Sequence, residues 1–330
     1  MTRPVGPKRA TSWDVARASG FSRSTVNEIL NGRGDRFPEA TRARVLKAVD
    51  DLSYAPSPAA RGLRTGQGST VVVLVPAGTL PPAFQDSIVE LQAVVSARGF
   101  HVLVQFGVAD MDTIVSDLRK LAPVAIVNYN VLAPDAAAQL RQTGAVVVPD
   151  SGASEVDEFD AYVGATLVRA LVERAGRRRL LFARPDGAPD YSSGMGRFRG
   201  ASRAAQELGL SHPELVEIPL EPGAAAEVLE PVLEKRPPVA IACQVDVVAL
   251  AVLAACRQLK VSVPEQAAII GVDATPEGQL WFPRLTTLRI DQADVGRGLG
   301  ANLLGAIDRV EPGPSAAGFP QLRLVEGDTA

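Results

Sequence analysis

Histidine and cysteine are scarce in this chain, with two of each among 330 residues. His101 lies inside an apolar run and His212 precedes Pro213, and neither has a nucleophile or metal-ligand partner at a working spacing. Cys243 and Cys256 stand in apolar surroundings without CxxC spacing, so buried free thiols are expected. There is no GxSxG, HExxH or Walker loop. The segment "GMGRFRG" lacks the third glycine of a dinucleotide loop and does not directly follow a strand. Catalysis, a bound metal and a cofactor are therefore not expected. No apolar run approaches the ~18 residues of a membrane span. The N-terminus has basic residues but no apolar core of a secretory signal. A cytoplasmic protein without a membrane role is expected.

What the chain does have is an uneven charge. The formal net charge is -3, with 46% hydrophobic and 22% charged residues. Residues 1–66 hold twelve Lys/Arg against six Asp/Glu, which makes that segment +6 and the remainder -9. A small basic module on a large acidic body is the footprint of a nucleic-acid binder with a separate second function.

Within the basic module, Thr11 followed by Asp14 predicts a capping box, and Gly20 stops the helix that follows. Ser22 can cap a second helix to about Asn31, with Val26, Ile29 and Leu30 as its buried stripe. At 100° per residue, Ser24 and Glu28 point away from that stripe, Asn27 and Asn31 lie beside them, and Arg23 sits at the N-terminal edge. Ala16, Gly20 and Val26 fit a tight helix crossing: close approach, turn and plug. A third helix is expected from Pro38, burying Val45, Leu46, Val49 and Leu52. The unit reads as a three-helix helix-turn-helix domain. Beyond it, "YAPSPAARGLRTGQG" can start a helix at Ser57 and Pro58, but one so short and containing Gly62 is marginal alone. Leu63, flanked by Arg61 and Arg64, has no role in a plain linker.

The stretch "TSWDVARASGFSRSTVNEILNG...ATRARVLKAVDDLSYAPSPAARGLRTG" resembles the LacI/GalR (lactose repressor and galactose repressor) family of bacterial transcription regulators. The resemblance implies a dimer on a palindromic double-stranded DNA operator, with the second helix in the major groove and the hinge segment ordering in the minor groove. It matches Leu63 to the leucine that wedges between base steps, and Arg23, Ser24 and Glu28 to base-reading positions. Gly62 stands where many members carry Ser or another helix former. The DNA-facing set expected is Thr11, Ser22, Arg23, Ser24, Thr25, Asn27, Glu28, Asn31, Arg33, Arg61 and Leu63. Phosphate contacts fall to residues such as Thr25 and Arg33. A carboxylate at Glu28 either accepts from a cytosine amino group or pairs with Arg23 or Arg33 and orients it.

In the body, "TVVVLVP", "HVLVQFG", "VAIVNY", "AVVVP", "RRLLFA", "VAIACQ" and "AAIIGVD" alternate with amphipathic segments. These segments run from Ala83 to Gly99, Pro134 to Gly144, Tyr162 to Gly176 and Gly196 to Gly209. Val- and Ile-rich strands between helices predict an α/β body of two doubly wound parallel-sheet lobes. Ligands bind such sheets at the C-terminal strand ends, which singles out Arg197, Asp246 and Asp273. An arginine fork and carboxylates suit a small, hydroxyl-rich ligand, although Asp246 can instead be a helix cap.

"IIGVDATPEGQLWFPRLTTLRID" also resembles the same family, whose effector domain has the type I periplasmic-binding-protein fold. By that resemblance Arg197 and Asp273 contact the effector, and Phe84 is an aromatic at the cleft mouth. Val245 stands where many members place Asn, and Ala274 where a second Asp is frequent. Trp281 is either a stacking surface for a sugar or a packed interface residue. The domains expected are residues 1–55 for DNA binding, 56–68 for hinge helix and linker, and 69–330 for effector binding and dimerisation. With no heptad-patterned tail before Ala330, a homodimer is expected rather than a tetramer. The function expected is a repressor released by a small polar effector, a sugar or related metabolite. A corepressor-dependent or activating regulator is the alternative within the family. More distant is a receptor or enzyme without a DNA role.

Overall fold

The computed structural model describes residues 10–30, 34–52, 54, 68–76, 82–107, 110–129, 131–149, 155–188, 193–221, 223–234, 238–309 and 320–330. It divides into two compact units, Met1–Ser69 and Thr70–Ala330. The hinge expected over 56–68, and with it Arg61 and Leu63, falls outside the described residues except for Gly68, as do Asn31 and Arg33.

The first unit is helical. Helix α1 (Ser12–Ser19) starts where the Asp14 carboxylate accepts from the Thr11 N–H at 2.9 Å and the Thr11 hydroxyl at 2.6 Å. It stops at Gly20, φ +76°, whose N–H donates to the Ala16 carbonyl. Helix α2 (Arg23–Glu28) follows, then a short 3-10 turn (Gly34–Arg36) and α3 (Glu39–Asp51). Val15, Ala16, Val26, Ile29, Val45 and Ala48 form the core between them. Two sequence expectations shift. Pro38 is the N-cap of α3, with ψ +147°, instead of its first helical residue. Leu46 is exposed, because Val45 and Ala48 set the buried face.

The second unit holds two sheets. The first, in order β2-β1-β3-β4, is wholly parallel: β1 (Thr70–Pro76), β2 (His101–Gly107), β3 (Ala125–Asn128) and β4 (Val146–Val148). Helix α4 (Pro82–Ser96) packs on the face bearing Val71, Val73 and Val75. Helices α5 (Met111–Leu121) and α6 (Pro134–Arg141) pack on the face bearing Val72 and Leu74. Burial on both faces explains why β1 reads as one continuous apolar run.

The second sheet has the order β10-β9-β8-β7-β5-β6. Its strands are β5 (Arg179–Pro185), β6 (Glu214–Ile218), β7 (Val239–Cys243), β8 (Ala267–Val272), β9 (Thr286–Ile290) and β10 (Leu322–Val325), with only β10 antiparallel to its neighbour. Helices α7 (Glu155–Ala175) and α8 (Ser193–Glu207) cover one face. Helices α9 (Ala224–Glu234) and α10 (Asp246–Gln258) cover the other. The short α11 (Pro276–Leu280) lies between β8 and β9. Helix α12 (Gln292–Ile307) leaves this lobe after β9 and packs its Leu303 into the first lobe. The chain then returns to the second lobe as β10, so it crosses between lobes three times. Both cysteines are buried in the core of the second lobe. No described helix is long and apolar enough to cross a membrane.

Candidate functional site

On the helical unit, the second helix presents a polar face. The Ser22 hydroxyl caps α2 by accepting from the Thr25 N–H at 3.1 Å, and it lies 2.9 Å from the Thr25 hydroxyl. Arg23 and Ser24 are exposed, while Thr25, Asn27 and Glu28 are half-buried. The Arg23 guanidinium sits 5.6 Å from the centre of the exposed Trp13 ring, so the indole steers it at the helix edge. Among the described residues no cation lies within ion-pair distance of Glu28. Thr11 spends its hydroxyl on Asp14, so in this structure it is a cap.

In the second unit, the strand-end rule leads to a strained turn. Asp273 has φ +110° and Ala274 φ +52°, both in the region that favours glycine. Three hydrogen bonds hold the turn. The Asp273 N–H donates to the Leu288 carbonyl at 2.9 Å, the Ala274 N–H to the Thr287 hydroxyl at 3.3 Å, and the Thr275 N–H to Asp246 at 2.7 Å. Asp246 also accepts from the Thr287 hydroxyl at 2.6 Å. It is fully buried and is the first residue of α10, whose N-cap is Val245. Asp246 therefore lies beneath the site and fixes the turn that displays Asp273. Burial raises both carboxyls, Asp246 to about 6 and Asp273 to about 7, with Arg197 partly offsetting the rise at Asp273. Gly271 leaves room for this arrangement, since a Cβ there would strike the Asp246 carboxylate.

Arg197 is buried on α8. Its Nε donates to Asp160 of α7 at 3.2 Å, and its Nη1 donates to the Gln244 carbonyl at the end of β7. The two helices approach closely enough to make this pair because Gly164 faces the Arg197 carbonyl and Gly200 faces the Ala161 carbonyl, with no Cβ between. Gln244 is itself buried, and its Oε1 has no hydrogen-bond partner among the described residues. On the first lobe, Phe84 packs edge-on against Tyr129 at 5.5 Å, and the Tyr129 hydroxyl lies 2.8 Å from that of Ser87.

A cleft of about 570 Å³ joins the lobes beside this turn, lined by Gln85 and Asp86 from α4, Asp273 to Pro276, Arg289 to Ala293, Gln321 and Arg323. Of the four residues expected to meet an effector, only Asp273 lines it. Phe84 stands next to its first-lobe wall, and Arg197 and Asp246 lie behind Asp273. Sequence reasoning missed Asp160, Gln244, Thr287, Arg289 and Arg323. Gln244 directly follows an apolar run and could have been found by the strand-end rule. The others depend on contacts between distant segments. No cluster of metal-ligating side chains occurs among the described residues.

Residues 13–57 match the model for bacterial regulatory proteins of the lacI family, and residues 168–330 match that for a periplasmic binding protein-like domain. The chain is 27% identical over 314 residues to the HTH-type transcriptional repressor PurR of Pectobacterium carotovorum subsp. carotovorum (strain PC1), covering 90% of each chain. It is 27% identical over 303 residues to PurR of Erwinia tasmaniensis, covering 87% of each. Among solved structures, the Lac repressor bound to ONPG in its repressed state superposes with a TM-score of 0.72 at 18% identity, covering 98% of this chain and 100% of that one. The transcriptional regulator CelR–cellobiose complex gives 0.66 at 20% identity, with 98% and 100% covered. At these identities the structural likenesses speak for the fold.

Proposed function

Because the chain belongs to the lacI family of bacterial regulatory proteins, we propose that it is a ligand-responsive transcriptional repressor. It binds a palindromic operator as a homodimer in the cytoplasm and is released when a small polar effector enters the cleft. It works by binding alone. The observation that carries this reading is the capped polar face of α2, backed by an apolar core and continued into a two-lobed body with a polar cleft.

In this reading Arg23, Ser24 and Glu28 face base edges, with Asn27 and Asn31 beside them. Ser22, Thr25, Arg33 and Thr11 lie near the phosphates, and Arg61 and Leu63 act in the central minor groove. Asp273 accepts effector hydroxyl protons, and Asp246 and Thr287 act through it by fixing its turn. Arg197 acts from behind Asp273, where its charge favours the ionised carboxyl. Phe84 and Tyr129 flank the first-lobe side. Ligand that prefers one lobe arrangement shifts operator binding by a coupling of about 1–3 kcal/mol.

The homodimer is supported by an apolar strip on the second lobe. Leu280 is 86% exposed, Phe282 88% and Trp281 38%, with Val247 and Leu220 also open. Exposed apolar side chains this close together mark an interface. Trp281 does not line the cleft, which favours its interface role over sugar stacking.

The test is operator affinity of the full chain, on its selected DNA site, with and without sugars, nucleosides and phosphorylated metabolites. Weakening by one class of metabolite is expected. Tightening would make the protein corepressor-dependent, and no change with any of them would remove the ligand-gated reading.

A further inference from the structure

The outer end of the cleft carries an unmatched pair of cations. In the antiparallel ladder of β9 and β10, Arg289 and Arg323 are direct partners. Directly opposed residues on such strands project from the same face with their Cβ atoms ~5 Å apart, where like charges destabilise the sheet. Both side chains are exposed, and among the described residues neither has a carboxylate within ion-pair distance. Four other arginines of the lobe do have such partners: Arg169, Arg174, Arg179 and Arg184 pair with Glu207, Glu326, Glu214 and Glu217. Gln321 accepts from the Nε and Nη2 of Arg323 at 3.4 and 3.2 Å, which holds that guanidinium over the strand edge.

Both arginines line the same cleft as Asp273. Among the described residues, the other carboxylates there, Asp86 and Asp291, form no ion pair with either arginine. Asp291 is engaged as the N-cap of α12 through the Asp294 N–H at 3.0 Å, and Asp86 stands on the opposite, first-lobe wall. Arg289 also shares its strand face with Thr287, two residues before it, whose hydroxyl donates to Asp246. The cationic pair and the Asp273 turn are thus registered to one strand.

We propose that Arg289 and Arg323 form an anion-binding subsite, so that the effector carries a phosphate or carboxylate at one end and hydroxyls at the other. Two planar forks on adjacent strands suit an oxyanion, which relieves the repulsion between them. This rests on the effector-gated reading above and names the class of ligand for it.

The experiment uses the full-length chain and titrates inorganic phosphate or acetate against chloride at matched ionic strength, read by calorimetry and thermal shift. Saturable binding by wild type is expected, weakened about tenfold in the double variant Arg289→Gln, Arg323→Gln. Because the basic N-terminal unit is unchanged, comparing the two proteins isolates the subsite. A response to phosphate alone identifies a phosphorylated effector, and a response to acetate alone a sugar acid. No binding, or equal binding by both proteins, overturns the proposal. If the double variant does not fold, the single variants at these exposed positions carry the same comparison. If phosphate binds through the pair yet no metabolite alters operator affinity, the gated reading falls and the subsite stands.

Discussion

At the scale of single residues, Asp273 combines a strained backbone with a carboxyl that resists ionisation. Its ordinary value of 3.8 rises to about 7 through burial. The sign follows from linkage. Below 3.8 the carboxyl is protonated in both folded and unfolded chains and costs nothing. As pH rises towards 7, the unfolded chain releases the proton while the folded chain keeps it, so stability falls until both are ionised. Asp273→Asn removes this loss. The variant is expected to gain stability over wild type progressively between about pH 4 and pH 7, by a few kcal/mol at most, since one pKa unit is worth about 1.4 kcal/mol. Parallel urea melts across that range check it, and a constant difference would contradict it. Asp246 lies close by and contributes the same sign, so part of the wild-type slope will remain.

Glu28 is a second residue whose role turns on its surroundings. A carboxylate against phosphates is repelled, but on the outward face of α2 it can accept from the cytosine amino group. Glu28→Gln should change the preference at one operator base pair when binding sites are selected from random DNA. An unchanged selected site would leave Glu28 as an orienting partner for a neighbouring arginine.

At the scale of elements, the site depends on how closely α7 and α8 cross. Replacing a mid-helix glycine by alanine ordinarily favours the helix by up to ~1 kcal/mol. At Gly200 the new Cβ would collide with the Ala161 carbonyl, a backbone group that cannot rotate away. Overpacking of this kind costs about 1–3 kcal/mol and wins. Gly200→Ala should therefore lower stability in urea and, by spreading the helices, loosen the Arg197–Asp160 pair and weaken effector binding. A stabilised variant would show that the helices part freely.

Elements also differed in how well the sequence revealed them. Strands β1, β5, β7 and β8 stood out because they are buried on both faces and read as apolar runs, whereas β2 reads as apolar although it is an exposed edge strand. Strands β6, β9 and β10 did not. "ELVEI" and "LRLV" mix charged with apolar residues at the two edges of the sheet, and "TTLRI" opens on two buried threonines, of which Thr287 spends its hydroxyl on Asp246. Helix α7 begins at Glu155, ahead of the expected Tyr162, because the residues before Tyr162 lack a clear apolar stripe.

At the scale of the whole molecule, the apolar strip at Leu280, Trp281 and Phe282 gives the assembly a handle. Leu280→Asp with Phe282→Asp places two charges on a surface already open in the single chain, so the fold should survive. Light scattering is expected to show a monomer, with operator affinity sharply reduced because two half-sites are no longer held together. A variant that remains dimeric would move the interface elsewhere.

The sequence by itself determined the features carried by local pattern: three short helices and the N-terminal caps of the first two, the charge division between module and body, the alternation of strands and helices, and Asp273 and Arg197 as polar groups near strand ends. Each is set within a few turns or one strand of chain. Only the tertiary structure decided what each acid and cation does. Asp246 reaches Thr275 and Thr287 across 29 and 41 positions, and Arg197 reaches Asp160 across 37. Arg289 meets Arg323 through strand register alone. Burial, register and helix approach place such residues together, and none of these is written in the neighbours of any one of them. Two aspartates with the same local signature thus part company: Asp246 becomes a buried brace, and Asp273 the group that faces the cleft.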